Sequence, residues 1–430
     1  MLTRSRWRKR LIVLSCLLAV FGLWHLIAWR VYEGAKRALL AEGLPVTGEQ
    51  LNAWYDSRAD SVEGGQRLLG VLDRTPERPW GFDYRHLYVS ESCSDACGGC
   101  VDIVRKALRE HTAFMDDLRA MPSGVYRHPM DLSDGPETLL PTIGGTGACV
   151  WWLTVESGVA FADGRLDAAF DSLDAATRLS MSLKDNPVMI GLLVQLATTG
   201  MIIEHVQVLI QEQAFSADEL RRLMLTLEQL HDSLVVSSAL VGEKVMIHDA
   251  LSKVHPVDEH KSKGINLTLS YGVPGHLYGM SGWKHIDLAY NLGLYHQLIE
   301  ADLDGDSFSW RKWDRYVEAE LEVPSRYPLS GTDLKIAMNA AMVRFQGTRL
   351  KLRVLRAALG VEHFRVREGR YPTEFHELCN DRHDAWCIDP MSVLHLYLEQ
   401  DKARLRLYSE YFDPEKVWVG YELILKKEAR

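Results

Sequence analysis

Arg4-Ser-Arg-Trp-Arg-Lys-Arg10 runs without interruption into Leu11-Ile-Val-Leu-Ser-Cys16-Leu-Leu-Ala-Val-Phe-Gly-Leu-Trp24-His25-Leu-Ile-Ala-Trp29, and Arg30 closes the run. At 1.5 Å per residue a helix of this length covers roughly 28 Å, close to the hydrocarbon thickness of a bilayer. Between Leu11 and Trp29 there is one histidine and no acid, lysine or arginine. Trp24 and Trp29 lie near the far end, where amphipathic rings favour the membrane interface. Residues 11–30 are therefore expected to be a transmembrane anchor in contact with lipid, residues 1–10 a cytoplasmic tail, and the rest of the chain an exported body. Basic residues flanking a first span stay on the cytoplasmic side, which sets the N-in orientation.

Two rival readings of the leader fit less well. A cleaved signal peptide wants a small-x-small site after a shorter apolar run, and Trp29-Arg30-Val-Tyr32 follows instead. A lipoprotein signal would use Cys16 after Val13-Leu14-Ser15, but that cysteine comes too soon after Arg10 to leave room for an apolar region.

Without its first ten residues the chain is acidic, with Asp and Glu outnumbering Lys and Arg. An acidic body is not expected to bind nucleic acid nonspecifically. A content of 47% hydrophobic residues and 12 tryptophans argues for a folded body with substantial cores. Six cysteines lie beyond the anchor, Cys93, Cys97, Cys100, Cys149, Cys379 and Cys387. In an oxidising exported compartment they are disulfide candidates. Cys379 and Cys387 are close enough in sequence to close a small loop. The other four would then pair among themselves and tie the Cys93–Cys100 loop to Cys149. Cys93-x3-Cys97-x2-Cys100 with Cys149 also has the makings of a tetrahedral zinc site, and Cys97-Gly-Gly-Cys100 has the gap of a redox dithiol.

The patterning predicts a mainly helical body. Tyr32–Ala41 continues the anchor helix outward until Gly43 and Pro45, and Thr47-Gly-Glu-Gln50 has capping-box spacing for a short helix carrying Leu51, Trp54 and Tyr55. Residues 72–100 read as irregular. Val104, Leu108, Phe114 and Leu118 mark one helix up to Pro122, and the segment from there to Gly147 reads as loop. Helices are expected over Leu166–Leu183 and Val188–Ile210, separated by Asn186-Pro187. The second is nearly continuous in apolar residues and is read as a buried core helix, not a second crossing. Ser216-Ala-Asp-Glu219 is another capping box. A long periodic stretch runs from Gly331 to Glu368, with its arginines expected to face solvent. The implied organisation is a juxtamembrane and cysteine-containing region (31–150), a helical domain (151–330), and a long helix followed by a small antiparallel sheet (331–430).

That last helix ends in Arg365-Val-Arg-Glu-Gly369-Arg-Tyr371-Pro372, and candidate strands follow around 393–398, 404–409 and 417–425. Arg365, Gly369, Tyr371 and Pro372 make an Arg-x-x-x-Gly-x-Tyr-Pro motif ahead of a small sheet, an order that resembles type II secretion pseudopilins. It also resembles the C-terminal unit of single-span exported bacterial proteins without an assigned activity. The resemblance covers about 80 residues and implies a small α+β C-terminal unit. In physical terms Gly369 caps the helix with positive φ, Tyr371 packs back on it and Pro372 starts the next short helix. The anchor lacks the prepilin cleavage site and lies over 300 residues from the motif, so assembly into a pilus is not implied.

Candidate chemistry is sparse. His248, His255, His260, His276 and His285 accompany Asp258, Glu259 and Asp287, but no His-Glu-x-x-His pair sets two ligands on one helical face. Glu204 beside His205, and Glu243, are acids in apolar helical surroundings, the raw material of a glycosidase pair if they face one another. Asp302-Leu-Asp304-Gly305-Asp306 resembles part of a calcium loop, yet position twelve is Trp313 and not an acid. No nucleophile elbow, phosphate loop or dinucleotide fingerprint occurs. The sequence thus assigns no catalytic residue, metal ligand or cofactor and leaves enzymatic activity open. It points to a scaffold or protein-interaction subunit of the bacterial inner membrane and periplasm, with envelope proteins as partners. An envelope hydrolase acting on cell-wall glycan is the alternative. Asn266-Leu-Thr268, an N-glycosylation pattern, keeps a eukaryotic secretory route open.

Overall fold

The computed structural model describes residues 2–77, 100–212, 215–253, 282–300, 332–374, 377–378, 397–400, 404–408 and 422–426. The first helix, α1 (Leu2–Ala41), runs unbroken through the basic head, the apolar run and the residues beyond it. It stops where Gly43 adopts a positive φ of 74°. From Leu11 to Leu23 every residue is exposed, so this stretch is long, apolar and uncovered by the rest of the protein. The picture changes at Trp24. Ala28 and Leu39 are buried, and α1 lies along α11 (Trp283–Glu300). The helix is thus long and apolar enough to cross a membrane, and its second half is built into the body.

The N-terminal part of the body comprises α2 (Gly48–Asp56), α3 (Val62–Leu72), α4 (Cys100–Glu110), α5 (Thr112–Arg119) and a 3-10 turn over Leu132–Glu137. Thr47 caps α2 through its side chain on Gln50 N, while Gln50 Oε1 reaches back to Val46 N at 3.0 Å, one residue earlier than a capping box requires. Leu51 and Tyr55 are buried. The single helix expected from Val104 to Leu118 is two helices, broken at His111.

The core is a stack of long helices: α6 (Ile143–Ala162), α7 (Leu166–Met181), α8 (Met189–Glu212), α9 (Ala217–Ser233), α10 (Ser237–Lys253) and α12 (Thr332–Glu368). Helix α6 packs along α7 and α8, and α12 along α9 and α8. The reading of residues 122–147 as loop is corrected at its end, where α6 begins at Ile143 and runs through Gly144, Gly145 and Gly147. Because α6 is buried almost all round, Trp151, Trp152, Val155 and Val159 show no polar face, and periodicity alone does not announce it. Ser216 and Glu219 form the complete reciprocal capping box at the start of α9. The apolar window of α8 also passes a length-and-composition test for a membrane span, but 56% of it is buried inside the body, against 6% for the window of α1. Helix α8 is a core helix.

Helix α12 is continuous despite Gly347 and Gly360, and Phe345, Leu352, Leu355, Leu359 and Val361 enter the main core. Its arginines do not all face water. Arg349 and Arg353 are buried, with Nε atoms 3.3 and 3.2 Å from His231 Nε2 on α9. A guanidinium on a long apolar stem can sit between helices when polar atoms meet its head, which a period-based reading of a solvent face does not anticipate. At the helix end Gly369 has φ 68° and donates its N–H to Arg365 O at 2.9 Å. Tyr371 Oη donates to Glu362 Oε1 at 3.0 Å, and Arg365 Nε contacts Glu362 Oε2 at 2.7 Å. The short helix expected after Pro372 falls partly outside the described residues.

Three short strands pair antiparallel in the order β1 (Tyr397–Gln400), β2 (Arg404–Tyr408), β3 (Glu422–Lys426), with Leu398 opposite Leu407 and Leu405 opposite Leu425. Both β2 and β3 touch α12, and Leu407 is buried in the main core. A separate C-terminal α+β unit does not emerge from these strands, since the described part of the pairing is anchored in the helical core.

Candidate functional site

A group of polar side chains away from open solvent lies where α1 meets α10 and α11. Tyr32 is positioned by α1 about one turn beyond the apolar run. Its ring stacks on His248 of α10, with centroids 5.8 Å apart and an interplanar angle of 11°, and it lies 5.7 Å from the ring of His285 on α11. Tyr32 Oη and His248 Nε2 are 2.7 Å apart. Two of the five histidines singled out in the sequence, His248 and His285, are thus brought together by a tyrosine. His255, His260, His276, Asp258 and Glu259 lie outside the described residues.

The arrangement outlines a Tyr–His–Asp sequence, but its last link is missing. His248 Nδ1 stands 3.6 Å from Asp249 Oδ1 and makes no hydrogen bond, while Asp249 Oδ2 accepts from Gly48 N at 3.3 Å. A relay needs the third group to hold the imidazole through its second nitrogen. Asp249 is turned instead to the start of α2. Burial raises the Tyr32 phenol above its ordinary range, with the charges of Glu33 and Asp249 adding to the effect, so Tyr32 is a neutral hydrogen-bonding post and not an activated nucleophile. Burial, followed by the charges of His25 and Lys284, lowers the His285 imidazole. Lys284 Nζ donates to Ser252 O at 2.7 Å, joining α11 to α10. Deeper in, Asp287 and Tyr295 are wholly buried, and Asn291 Nδ2 donates to Asp287 O at 2.8 Å.

Two further features of this junction carried no sequence signal strong enough to be singled out. Lys244 on α10 is 1% exposed, and its Nζ has no hydrogen-bond partner. Burial pushes its ammonium down to about 8 against the opposing pull of Glu42. Beside it the end of α1 meets α11: His296 Nε2 lies 3.3 Å from Glu42 Oε1 and 3.7 Å from Glu300 Oε1. The ligand-capable atoms of these three residues all fall within 4.8 Å of one another. His296 and Glu300, four residues apart, were legible as one face of a helix only once α11 itself was recognised.

The other acids and imidazoles singled out in the sequence are placed apart. His205 is wholly buried on α8, with Nε2 3.0 Å from Ser157 Oγ, and burial pushes it down to about 3. Its neighbour Glu204 is exposed. Glu243 is drawn to the start of α8, where its Oε1 accepts from Met189 N at 2.9 Å, and burial raises its carboxyl. One acid faces water and the other serves a helix N-terminus, so the two do not form the facing pair a glycosidase needs. Asp302, Asp304 and Asp306 lie outside the described residues.

Of the cysteines, Cys149 is buried in α6 with Sγ 4.0 Å from Thr75 Oγ1. Cys100 is the first residue of α4, which packs on α6. Cys93, Cys97, Cys379 and Cys387 lie outside the described residues, and with them the expected pairing. Comparison with known protein families, with curated proteins and with solved structures gave no match.

Proposed function

We propose that this chain is a membrane-anchored scaffold or protein-interaction subunit of a bacterial cell envelope. Residues 11–30 contact inner-membrane lipid, the N-terminus stays in the cytoplasm and the body lies in the periplasm with envelope proteins as its partners. The observation that carries the reading is the change along α1, uncovered from Leu11 to Leu23 and then grafted into the body from Trp24 onward. A flexible tether would let a catalytic body roam, whereas a helix shared between bilayer and body fixes the body's height and tilt. That suits a component whose surfaces must be presented to other envelope proteins. The position of Gly282, where an added Cβ would meet Trp24 Nε1 at 3.0 Å, brings the start of α11 to the level of the anchor's tryptophans. Trp24 then marks the depth at which the body begins to cover the span.

The exported compartment also makes disulfides among Cys93, Cys97, Cys100, Cys149, Cys379 and Cys387 part of the proposal. The contact of α4 with α6 supports a tie between the Cys93–Cys100 loop and Cys149.

Crosslinking in native membranes, followed by identification of the captured proteins, tests the function. A reproducible set of envelope proteins lost on deleting the body is expected. Recovery of no specific partner, together with cleavage of cell-wall glycan by the purified protein, would replace this reading with the hydrolase.

A further inference from the structure

We propose that Glu42, His296 and Glu300 form a site for a divalent transition-metal ion that fastens the end of the anchor helix to α11. The geometry of the three side chains leads there. Both carboxylates converge on the same imidazole nitrogen, His296 Nε2, at 3.3 and 3.7 Å. A single N–H can direct one good hydrogen bond, not two, and neither separation is that of a strong one. Around a four-coordinate zinc ion with bonds near 2.0–2.1 Å, neighbouring ligand atoms lie about 3.4 Å apart, so the observed spacing fits a shared ion better than a shared proton.

The donor set fits the class of ion. One imidazole nitrogen with two carboxylate oxygens suits zinc and its neighbours in the first transition row, and is too poor in oxygens for calcium. Both glutamates are partly exposed, with side-chain exposures of 47% and 63%. Solvent therefore reaches the site, and water completes the coordination. His296 Nδ1 is buried without a hydrogen-bond partner, so the ring lacks the outer support that tightens many metal sites. Lys244, within electrostatic reach of Glu42, competes for the same carboxylate. The site is accordingly one of modest affinity.

Its position gives it a use. Glu42 follows the last residue of α1, whereas His296 and Glu300 lie on the final turns of α11. The two helices are already joined by the apolar contact of Leu39 with Leu292. An ion at the open end of that contact closes it and resists splaying of the body from the anchor.

The test uses the full chain in detergent, stripped with chelator and titrated with cobalt(II) as a spectroscopic stand-in for zinc. One equivalent is expected to bind without a thiolate-to-metal charge-transfer band. It should be lost in His296→Ala and weakened at least about tenfold in Glu42→Gln and Glu300→Gln. Glu300→Gln alters an exposed side chain, so its effect is not a failure to fold, and a circular-dichroism melt of the stripped proteins verifies this. Saturable cobalt binding that keeps its affinity in all three variants, a thiolate band accounting for all bound metal, or no saturable binding at all would overturn the proposal.

Discussion

His205 and His128 show how single buried residues make this protein sensitive to acid. Burial pushes His205 down to about 3 and His128 down to about 4, and each ring meets a hydroxyl, Ser157 Oγ and Thr142 Oγ1 respectively. Their folded pKa values lie below the unfolded 6.5, so the unfolded chain binds more protons between these limits. Stability is therefore full above pH 6.5 and falls as the pH drops toward 4, by up to about 3 kcal/mol for each ring. His205→Gln is expected to flatten this decline in urea melts taken from pH 7 to 4. Lys244 works in the opposite range. Its folded value of about 8 is below the ordinary 10.5, so its burial cost is fully present below pH 8 and is relieved as the pH rises toward 10. Lys244→Met is expected to raise stability at pH 7 by about 1 kcal/mol or more and to remove that rise. Neither effect was legible in the sequence. A histidine or lysine in a helix reads alike whether its side chain meets water or core, and only the packing of α6 on α8, or of α10 under α1, decides.

At the scale of elements, legibility followed the burial pattern. Helices with one wet face, α7 and α9, could be read from period and caps, and the Ser216–Glu219 box formed as its spacing indicated. Helix α6 was missed because it is apolar on every side and opens with glycines. Helix α11 was missed because its tyrosines, its histidines and Asn291 conceal an inward face formed by Leu288, Leu292, Tyr295 and Leu298. With α11 went the junction site, since half of its side chains sit on that helix. The glycines within these helices separate by surroundings. At Gly242 an added Cβ would stand 1.3 Å from Pro187 O, so α10 can lie across the turn before α8 only with a glycine there. Gly242→Ala is expected to destabilise the fold by about 3 kcal/mol through displacement of α10. At Gly200, within α8, no atom beyond the adjoining backbone of its own helix lies within 4 Å of an added Cβ. Gly200→Ala is expected to stabilise by about 0.5–1 kcal/mol, and thermal melts of the pair measure the contrast.

For the whole molecule, the division between an uncovered apolar helix and a helical body was readable from the charge and hydropathy of the first thirty residues. How the two are joined was not. The last third of residues 11–30 is partly covered by the body, with Ala28 buried and Trp24 beside Gly282, and this follows from the docking of α11, which the sequence did not announce. A body held at this height is expected to restrict the motion of the anchor. Replacing Leu39 by Ala at the α1–α11 contact should cost about 2–5 kcal/mol of stability and increase protease cutting between residues 41 and 48. The most direct test of the whole account is the accessibility of a protease-cleavable tag at the C-terminus in intact bacterial spheroplasts expressing the full chain. The account predicts rapid removal of the tag while the spheroplasts are whole, with the anchored protein remaining in the membrane fraction. A tag that stays protected until the membrane is lysed, or a chain recovered in solution without residues 11–30, would contradict it.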